Sequence, residues 1–126
     1  MSVNVFVYMP RPGEKGNELL RAMPPFISEG SLEIFRDLQG FSTRIRKLKN
    51  SLSIALLWIS TDEELKELAS WRDYLAGVRT VLILPDEDAG TIALAHKIFP
   101  AFIAYADDDM TEVISVIRRL ARSDGG

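Results

Sequence analysis

The stretch that most constrains the fold is Ser53–Ser60, which reads Ser-Ile-Ala-Leu-Leu-Trp-Ile-Ser. Because successive side chains of a strand point to opposite faces of its sheet, a nearly unbroken apolar run must be covered on both faces. Such a run is typical of the centre of a parallel sheet that has helices on each side. The segment Thr61–Glu64 follows directly and has the form of a capping box. We therefore expect residues 53–60 to be the central strand of a helix-covered sheet.

Further β-branched and aromatic segments alternate with helical ones along the chain. The predicted strands cover residues 3–9, 31–38, 53–60, 79–84 and 101–106. Short connections between alternating strands and helices require right-handed crossovers, and these produce a parallel sheet with helices on both sides. The sequence predicts one α/β domain over residues 1–126, a (βα)5 doubly wound three-layer sandwich around a parallel five-stranded sheet.

In the second half of the chain, polar residues that can cap helices precede the apolar stripes. Thr61, Asp88 and Asp109 are expected to cap three helices. Gly77 is the expected left-handed stop of the first of these helices, and Phe99 is expected on the inner face of the second.

The first half of the chain has weaker sequence signals for secondary structure. Residues 14–23 are expected to form a short helix that ends before two prolines. The strand over residues 31–38 has mixed polarity, which favours an edge strand that Gly40 ends. Ser42 is then expected to cap a short helix that runs to Lys49.

Composition excludes several classes of function. The hydrophobic fraction of 47% and the charged fraction of 26% are ordinary for a globular domain, and a net charge of −3 does not favour nucleic acid as a partner. The absence of cysteine excludes disulfides and thiolate chemistry. Residues 1–4 do not begin a signal peptide, and no apolar run approaches the roughly 20 residues that span a bilayer. We expect a cytoplasmic protein without a membrane partner.

The layout of alternating strands and helices resembles the receiver domains of two-component signalling, which have a flavodoxin-like architecture. The resemblance is strongest from Arg79 onward: a strand, an acidic turn, a helix that ends in Ala-His-Lys-Ile-Phe-Pro, a short strand, and an amphipathic helix that contains Arg-Arg-Leu. It implies the strand order 2-1-3-4-5 and a ligand site beyond the carboxyl ends of the strands. The candidate residues around such a site are Arg11, Trp58, Ser60, Asp62, Pro85, Asp86 and Asp107.

The residues that receivers use for phosphotransfer are missing. A receiver has an acidic pair that holds Mg²⁺ after strand one, an acceptor Asp after strand three, a Ser or Thr after strand four and a Lys after strand five, and the chemistry needs all of them. The matching positions here hold Met9, Pro10 and Arg11, then Trp58 or Ser60, then Leu84 and Pro85, then Ala106 and Asp107. The resemblance therefore implies a pseudo-receiver: a non-catalytic regulatory domain in bacterial signal transduction that binds no cofactor and acts by protein contact. It also implies a possible homodimer through residues 88–122.

Three acidic clusters leave a second function open. Residues 62–64, 86–88 and 107–109 each follow a strand and begin a helix. Their carboxylates can cap the helices and complement the helix dipoles. Alternatively, Asp62, Asp86 and Asp107 could converge on Mg²⁺ or Ca²⁺, as ligands from separate loops do in hard-cation sites. The alternative function is then a small-ligand or divalent-metal-binding domain.

Single residues near this edge also have two interpretations each. Arg11 could pair with Asp62 or Asp107 in place of a metal, or it could be solvated in its loop. Trp58 could fill the hollow that a receiver leaves for its phosphate, or it could be an ordinary core residue.

Other aromatic and basic residues also allow more than one interpretation. Trp71 and Tyr74 could form an exposed partner surface, or they could widen the core stripe of their helix. His96, the single histidine, is expected to be structural. The basic run over residues 44–49 is expected to be a solvated helix face, with an acidic partner as the alternative.

Overall fold

The computed structural model describes residues 4–23, 32–48 and 53–125. These residues form one parallel sheet of five strands in the order β2-β1-β3-β4-β5, as the resemblance implies. The strands are β1 (Asn4–Tyr8), β2 (Leu32–Phe35), β3 (Ser53–Trp58), β4 (Val78–Leu84) and β5 (Phe102–Tyr105). Each prediction of a strand is confirmed, although most strands are shorter than expected.

Helices cover both faces of the sheet. They are α1 (Gly13–Ala22), α2 (Leu38–Ile45), α3 (Asp62–Ser70), α4 (Arg72–Leu75), α5 (Ala89–His96) and α6 (Met110–Gly125) within the described ranges. Residues of α1 and α6 pack against one face, and residues of α2, α3, α4 and α5 pack against the other. The arrangement is a doubly wound, flavodoxin-like α/β fold. None of the helices in this part of the chain is long and apolar enough to cross a lipid bilayer.

The central strand has the two-sided burial that its sequence predicts. β3 pairs with β1 on one side and with β4 on the other. Ile54 and Leu56 belong to the core cluster that includes α1 and α6, whereas Ala55 and Leu57 belong to the opposite cluster. All four side chains are fully buried, and their burial holds the three layers together.

The predicted cap of the second helix was wrong. α2 begins at Leu38, because the Asp37 side chain accepts a 2.7 Å hydrogen bond from the Gly40 amide. Gly40 therefore lies in the first turn of α2 instead of ending β2, and Ser42 is buried within the helix. The strand expected through residue 38 ends at Phe35 for the same reason. The predicted end of the second helix was wrong as well, because α2 ends at Ile45 and residues 46–48 form a turn and a loop before the expected end at residue 49. The predicted strand boundaries at residues 3 and 31 lie outside the described residues.

Two predictions in the second half were also wrong. In the described chain, positive φ angles occur at Gly13 and Phe99, so Gly77 is not a left-handed stop. The helix that it was expected to end is interrupted earlier, at Trp71, which separates α3 from α4 with φ −102° and ψ 14°. Phe99 is 82% exposed instead of facing inward, because its left-handed backbone turns the chain away after α5 ends at His96.

Candidate functional site

The carboxyl ends of the parallel strands meet at one side of the molecule, which we call the carboxyl edge. It consists of the loops over residues 9–12, 36–37, 59–61, 85–88 and 106–109. Strand register brings these loops together, since Tyr8 pairs with Leu57 and Leu84 pairs with Tyr105. All of the residues predicted around the site lie in these loops, at the last position of β3 or at the first position of α3.

A contact between Tyr8 and Glu64 lies at the centre of this edge. Tyr8 is the last residue of β1 and is 4% exposed. Its hydroxyl donates a hydrogen bond to Oε2 of Glu64, in the first turn of α3. Burial, then the hydrogen bond and the negative charge of Glu64, raise the pKa of Tyr8 above its ordinary value. The phenol therefore remains a neutral donor at physiological pH.

Glu64 serves a second purpose, because its other oxygen completes the predicted capping box. Oε1 accepts hydrogen bonds from the Ser60 and Thr61 amides at 2.9 Å each. The Thr61 hydroxyl in turn accepts a bond from the Glu64 amide at 3.3 Å. One carboxylate thus ties the end of β1 to the loop after β3 and fixes the start of α3.

The acidic residues after β3 and β4 are also engaged in local bonds. Asp62 Oδ1 accepts a hydrogen bond from the hydroxyl of Thr91, a buried residue of α5, at 3.1 Å. Asp86 Oδ1 accepts from the Asp88 amide at 2.9 Å. Asp88 Oδ2 accepts from the Gly90 amide at 3.1 Å, which confirms Asp88 as the cap of α5.

The loop between β5 and α6 uses its carboxylates in the same way. Asp108 Oδ2 accepts from the Tyr105 amide at 2.9 Å and closes the turn after β5. Asp109 Oδ1 accepts from the Thr111 amide at 2.8 Å at the start of α6. The hydrogen bonds from Thr111 hold the pKa of the fully exposed Asp109 below its ordinary value. Asp107 is exposed.

Lys15 supplies a positive charge at this loop that the sequence did not indicate. Its ammonium group reaches across from α1 and donates to the backbone oxygens of Asp108 at 3.0 Å and Ala106 at 3.3 Å. The lysine of a receiver follows strand five, whereas this one comes from the first turn of α1. It therefore fixes a loop to a helix, and its donors are directed at backbone carbonyls.

The geometry gives no support to the hypothesis of a hard-cation site. Among the residues that the structure describes, no three Asp, Glu or His side chains form a group that could hold a metal ion. Asp62, Asp86 and Asp107 share the edge without converging. The capping interpretation accounts for the observed bonds of Asp88 and Asp109.

Arg11 and Trp58 take ordinary positions. Arg11 is exposed. The ion pair formed within the described ranges joins Arg44 to Glu33 at 2.9 Å, so Arg11 is paired with neither Asp62 nor Asp107. Trp58 is half-buried and packs against the cluster under α1 and α6. Ser60 and Pro85 lie in the loops after β3 and β4, and Ser60 is exposed whereas Pro85 is half-buried.

The two aromatic residues near α4 differ from one another. Trp71 is half-buried against the core, whereas Tyr74 is 50% exposed. The Arg46 guanidinium lies 5.3 Å from the centre of the Tyr74 ring. His96 is exposed at the end of α5.

No family model, no curated protein and no solved structure matches this chain significantly. The sheet order and the two helix layers therefore identify its fold, and the residues of the carboxyl edge carry the functional interpretation. Sequence reasoning missed the contact between Tyr8 and Glu64, although one signal was available. A tyrosine at the end of a buried strand needs a partner for its hydroxyl.

Proposed function

We propose that this chain is a receiver-like regulatory domain that acts by protein contact, without aspartyl phosphorylation, in the cytoplasm of a bacterium. The observation that carries the proposal is the Tyr8–Glu64 hydrogen bond at the carboxyl edge. A working receiver would need a metal-holding acidic pair after β1. In this chain, β1 ends in a buried phenol and is followed by Met9, Pro10 and Arg11.

The electrostatics of this edge support the proposal. Phosphoryl transfer from a small donor requires a free carboxylate beside a cation that neutralises the developing charge. Glu64 accepts hydrogen bonds from Tyr8, Ser60 and Thr61, and Asp62 accepts one from Thr91. The cation near the last loop, Lys15, is bonded to backbone oxygens. These groups stabilise the fold, and none of them needs a ligand to complete its bonding.

A second copy of the chain is the partner that we propose, with residues 88–122 as the contact face. β5 is an edge strand of the sheet. The adjoining helix α5 has the sequence Ala-Gly-Thr-Ile-Ala-Leu-Ala-His, in which apolar residues occur on every side. A helix that is apolar all round is normally covered on all sides. Here Ala89 and Ala93 are exposed, and Ile92 and Leu94 are half-buried.

The charges along this face favour a two-fold symmetric pair. Acidic residues lie at the carboxyl edge, where α5 and α6 begin, among them Asp88 and Asp107, and both are exposed. Basic residues lie further from this edge, among them Lys97 directly after α5 and Arg119 on α6, and both are exposed. Two copies related by a two-fold axis with antiparallel helices would place opposite charges together. A parallel arrangement would place like charges together.

Sedimentation velocity over a range from about 10 μM to about 1 mM protein tests this function. We expect a monomer–dimer equilibrium within that range. Ala93→Glu places a charge on the exposed side of α5 and should shift the protein to monomer. Gln39→Glu adds the same charge to the exposed side of α2 and serves as the matched control. A wild-type monomer throughout the range, or a dimer that Ala93→Glu does not affect, would contradict the proposed contact.

A further inference from the structure

A small hollow lies on the side of the molecule opposite the carboxyl edge, where β4 begins. Its volume is about 310 Å³, which corresponds to roughly ten water molecules and is at the lower end of the range for ligand sites, which begins at roughly 300 Å³. The side chains that line it come from α4, from the start of β4 and from the segment after α5. The hollow is therefore large enough for a molecule of the size of leucine or phenylalanine.

Apolar side chains form the floor of the hollow. Leu75 and Ile98 line it, and both are buried in the core cluster beneath α2, α3, α4 and α5. Phe99 also lines it, although its ring is 82% exposed and its φ angle is 56°. Left-handed backbone is disfavoured for a residue that carries a Cβ atom, and strain of this kind is a pointer to function. An apolar ligand in the hollow would cover part of this ring, and burial of apolar surface is favourable.

Two charged residues of opposite sign, Arg72 and Asp73, line the hollow above this floor. Both side chains are exposed, and neither forms an ion pair or a side-chain hydrogen bond with any residue of the described ranges, including the other. A ligand with only negative charge would be repelled by Asp73, and a ligand with only positive charge would be repelled by Arg72. A small zwitterion is complementary to both charges.

We propose that this hollow binds a free α-amino acid that has an apolar side chain, such as leucine. At neutral pH the ligand carries a carboxylate and an ammonium group on one carbon atom. Its carboxylate would face the guanidinium of Arg72, whose planar set of donors matches a carboxylate, and its ammonium group would face Asp73. Its side chain would contact Leu75 and Ile98 beside the ring of Phe99. A few polar groups above an apolar floor are typical of small-ligand sites.

Binding of an amino acid does not require the self-association proposed above. The face proposed for a second copy covers residues 88–122, whereas both charges of the hollow and part of its floor belong to residues 72–78. Ile98 and Phe99 belong to both regions. The ligand titration is therefore carried out on the Ala93→Glu variant as well as on the wild-type chain, so that loss of the dimer and loss of ligand binding are measured separately.

Titration of the isotope-labelled protein with leucine, followed by the NMR chemical shifts of assigned backbone amides, tests the proposal. We expect saturable shifts at residues 72–78 and 98–99 in both proteins, with a dissociation constant between about 0.1 and 10 mM. Isocaproate lacks the ammonium group and isoamylamine lacks the carboxylate, so each should bind about threefold or more weakly than leucine. Serine lacks the apolar side chain and should bind at least about tenfold more weakly.

Variants of the protein locate the site. Arg72→Gln and Asp73→Asn each remove one charge, and Phe99→Gly removes the ring at a position where the backbone already suits glycine. Each should weaken leucine binding about threefold or more. Lys66→Gln and Glu63→Gln remove similar charges at exposed positions of α3, and we expect them to leave the binding unchanged.

Four results would overturn the proposal. The first is a leucine titration that shows no saturation up to about 50 mM, and the second is equal affinity for leucine and serine. The third is unchanged leucine affinity in all of the variants at the hollow. The fourth is leucine binding to Ala93→Glu but not to the wild-type chain, which would show that the second copy itself covers the hollow.

Discussion

The hydroxyl of Tyr8 donates to the carboxylate of Glu64, a residue 56 positions further along the chain. The bond joins the last residue of β1 to the first turn of α3, at the edge where flavodoxin-like folds bind their ligands. Each partner satisfies the other: the buried phenol gains an acceptor, and the carboxylate gains a donor in addition to two amides. At this point of the carboxyl edge, both side chains are therefore engaged in a structural contact.

Removing the Tyr8 hydroxyl tests how much this contact stabilises the fold. We expect Tyr8→Phe to lower the free energy of unfolding by about 1–2 kcal/mol, since a hydrogen bond to a charged acceptor is lost. Urea denaturation followed by circular dichroism measures the change. Tyr105→Phe is the control, because Tyr105 is half-buried at the end of β5, and we expect a change below about 0.5 kcal/mol. Equal losses in both variants would contradict a special role for the pair.

The same bond predicts a dependence of stability on alkaline pH. Folding raises the pKa of Tyr8 above its ordinary value of 10.0. The stabilisation from this group is therefore fully present below pH 10 and decreases as pH rises toward the folded pKa. We expect the difference in unfolding free energy between wild type and Tyr8→Phe to be constant from pH 7 to pH 9 and to decrease above pH 10. A difference that grows above pH 10 would contradict the predicted loss of stabilisation at alkaline pH.

The start of α2 gives a local test of helix capping. Asp37→Ala removes the oxygen that accepts the Gly40 amide, and we expect a loss of about 1 kcal/mol in unfolding free energy. Ser42→Ala changes a residue inside the helix and should cost less than about 0.5 kcal/mol. Thermal or urea unfolding of both variants measures the contrast. The reverse order would support a helix that begins at Ser42.

Substitutions at two glycines test the backbone conformation at those positions. Gly77 has an ordinary backbone, and a Cβ atom added there meets no atom within 4 Å, so we expect Gly77→Ala to stabilise the protein by about 0.4–1 kcal/mol. Gly13 has φ 58° with equally open surroundings, and Gly13→Ala should cost about 1–2 kcal/mol through backbone strain. Differential scanning calorimetry distinguishes the expected stabilisation by Gly77→Ala from the expected destabilisation by Gly13→Ala. Stabilisation by Gly13→Ala together with destabilisation by Gly77→Ala would contradict the backbone assignment.

Much of the fold could be predicted because buried strands and helices have recognisable patterns of apolar residues. The apolar run of Ser53–Trp58 indicates a strand that is covered on both faces, and its alternation with helices favours a parallel sheet. The capping box at Thr61 was readable for the same local reason, since both of its bonds lie within four residues.

The remaining features depend on tertiary packing and on contacts between distant residues, which the local sequence does not determine. Asp37 and Ser42 can both cap a helix, and packing of Phe41 and Ile45 against the sheet selects the earlier start. The exposure of Phe99 follows from where α5 ends, which propensity alone does not determine. The contacts of Tyr8 with Glu64 and of Lys15 with Asp108 join residues distant in sequence, and they become visible only once the strands have been placed side by side.

The most direct test of the central claim is incubation of the protein with acetyl phosphate and Mg²⁺, followed by intact-mass spectrometry, with a working receiver domain as the positive control. We predict an unchanged mass for this protein, because Asp62 and Glu64 accept internal hydrogen bonds and because Met9, Pro10 and Arg11 follow β1 where a receiver has its metal-holding acidic pair. A stoichiometric phosphoryl adduct that disappears in Asp62→Asn would contradict the account and would identify Asp62 as a displaced acceptor.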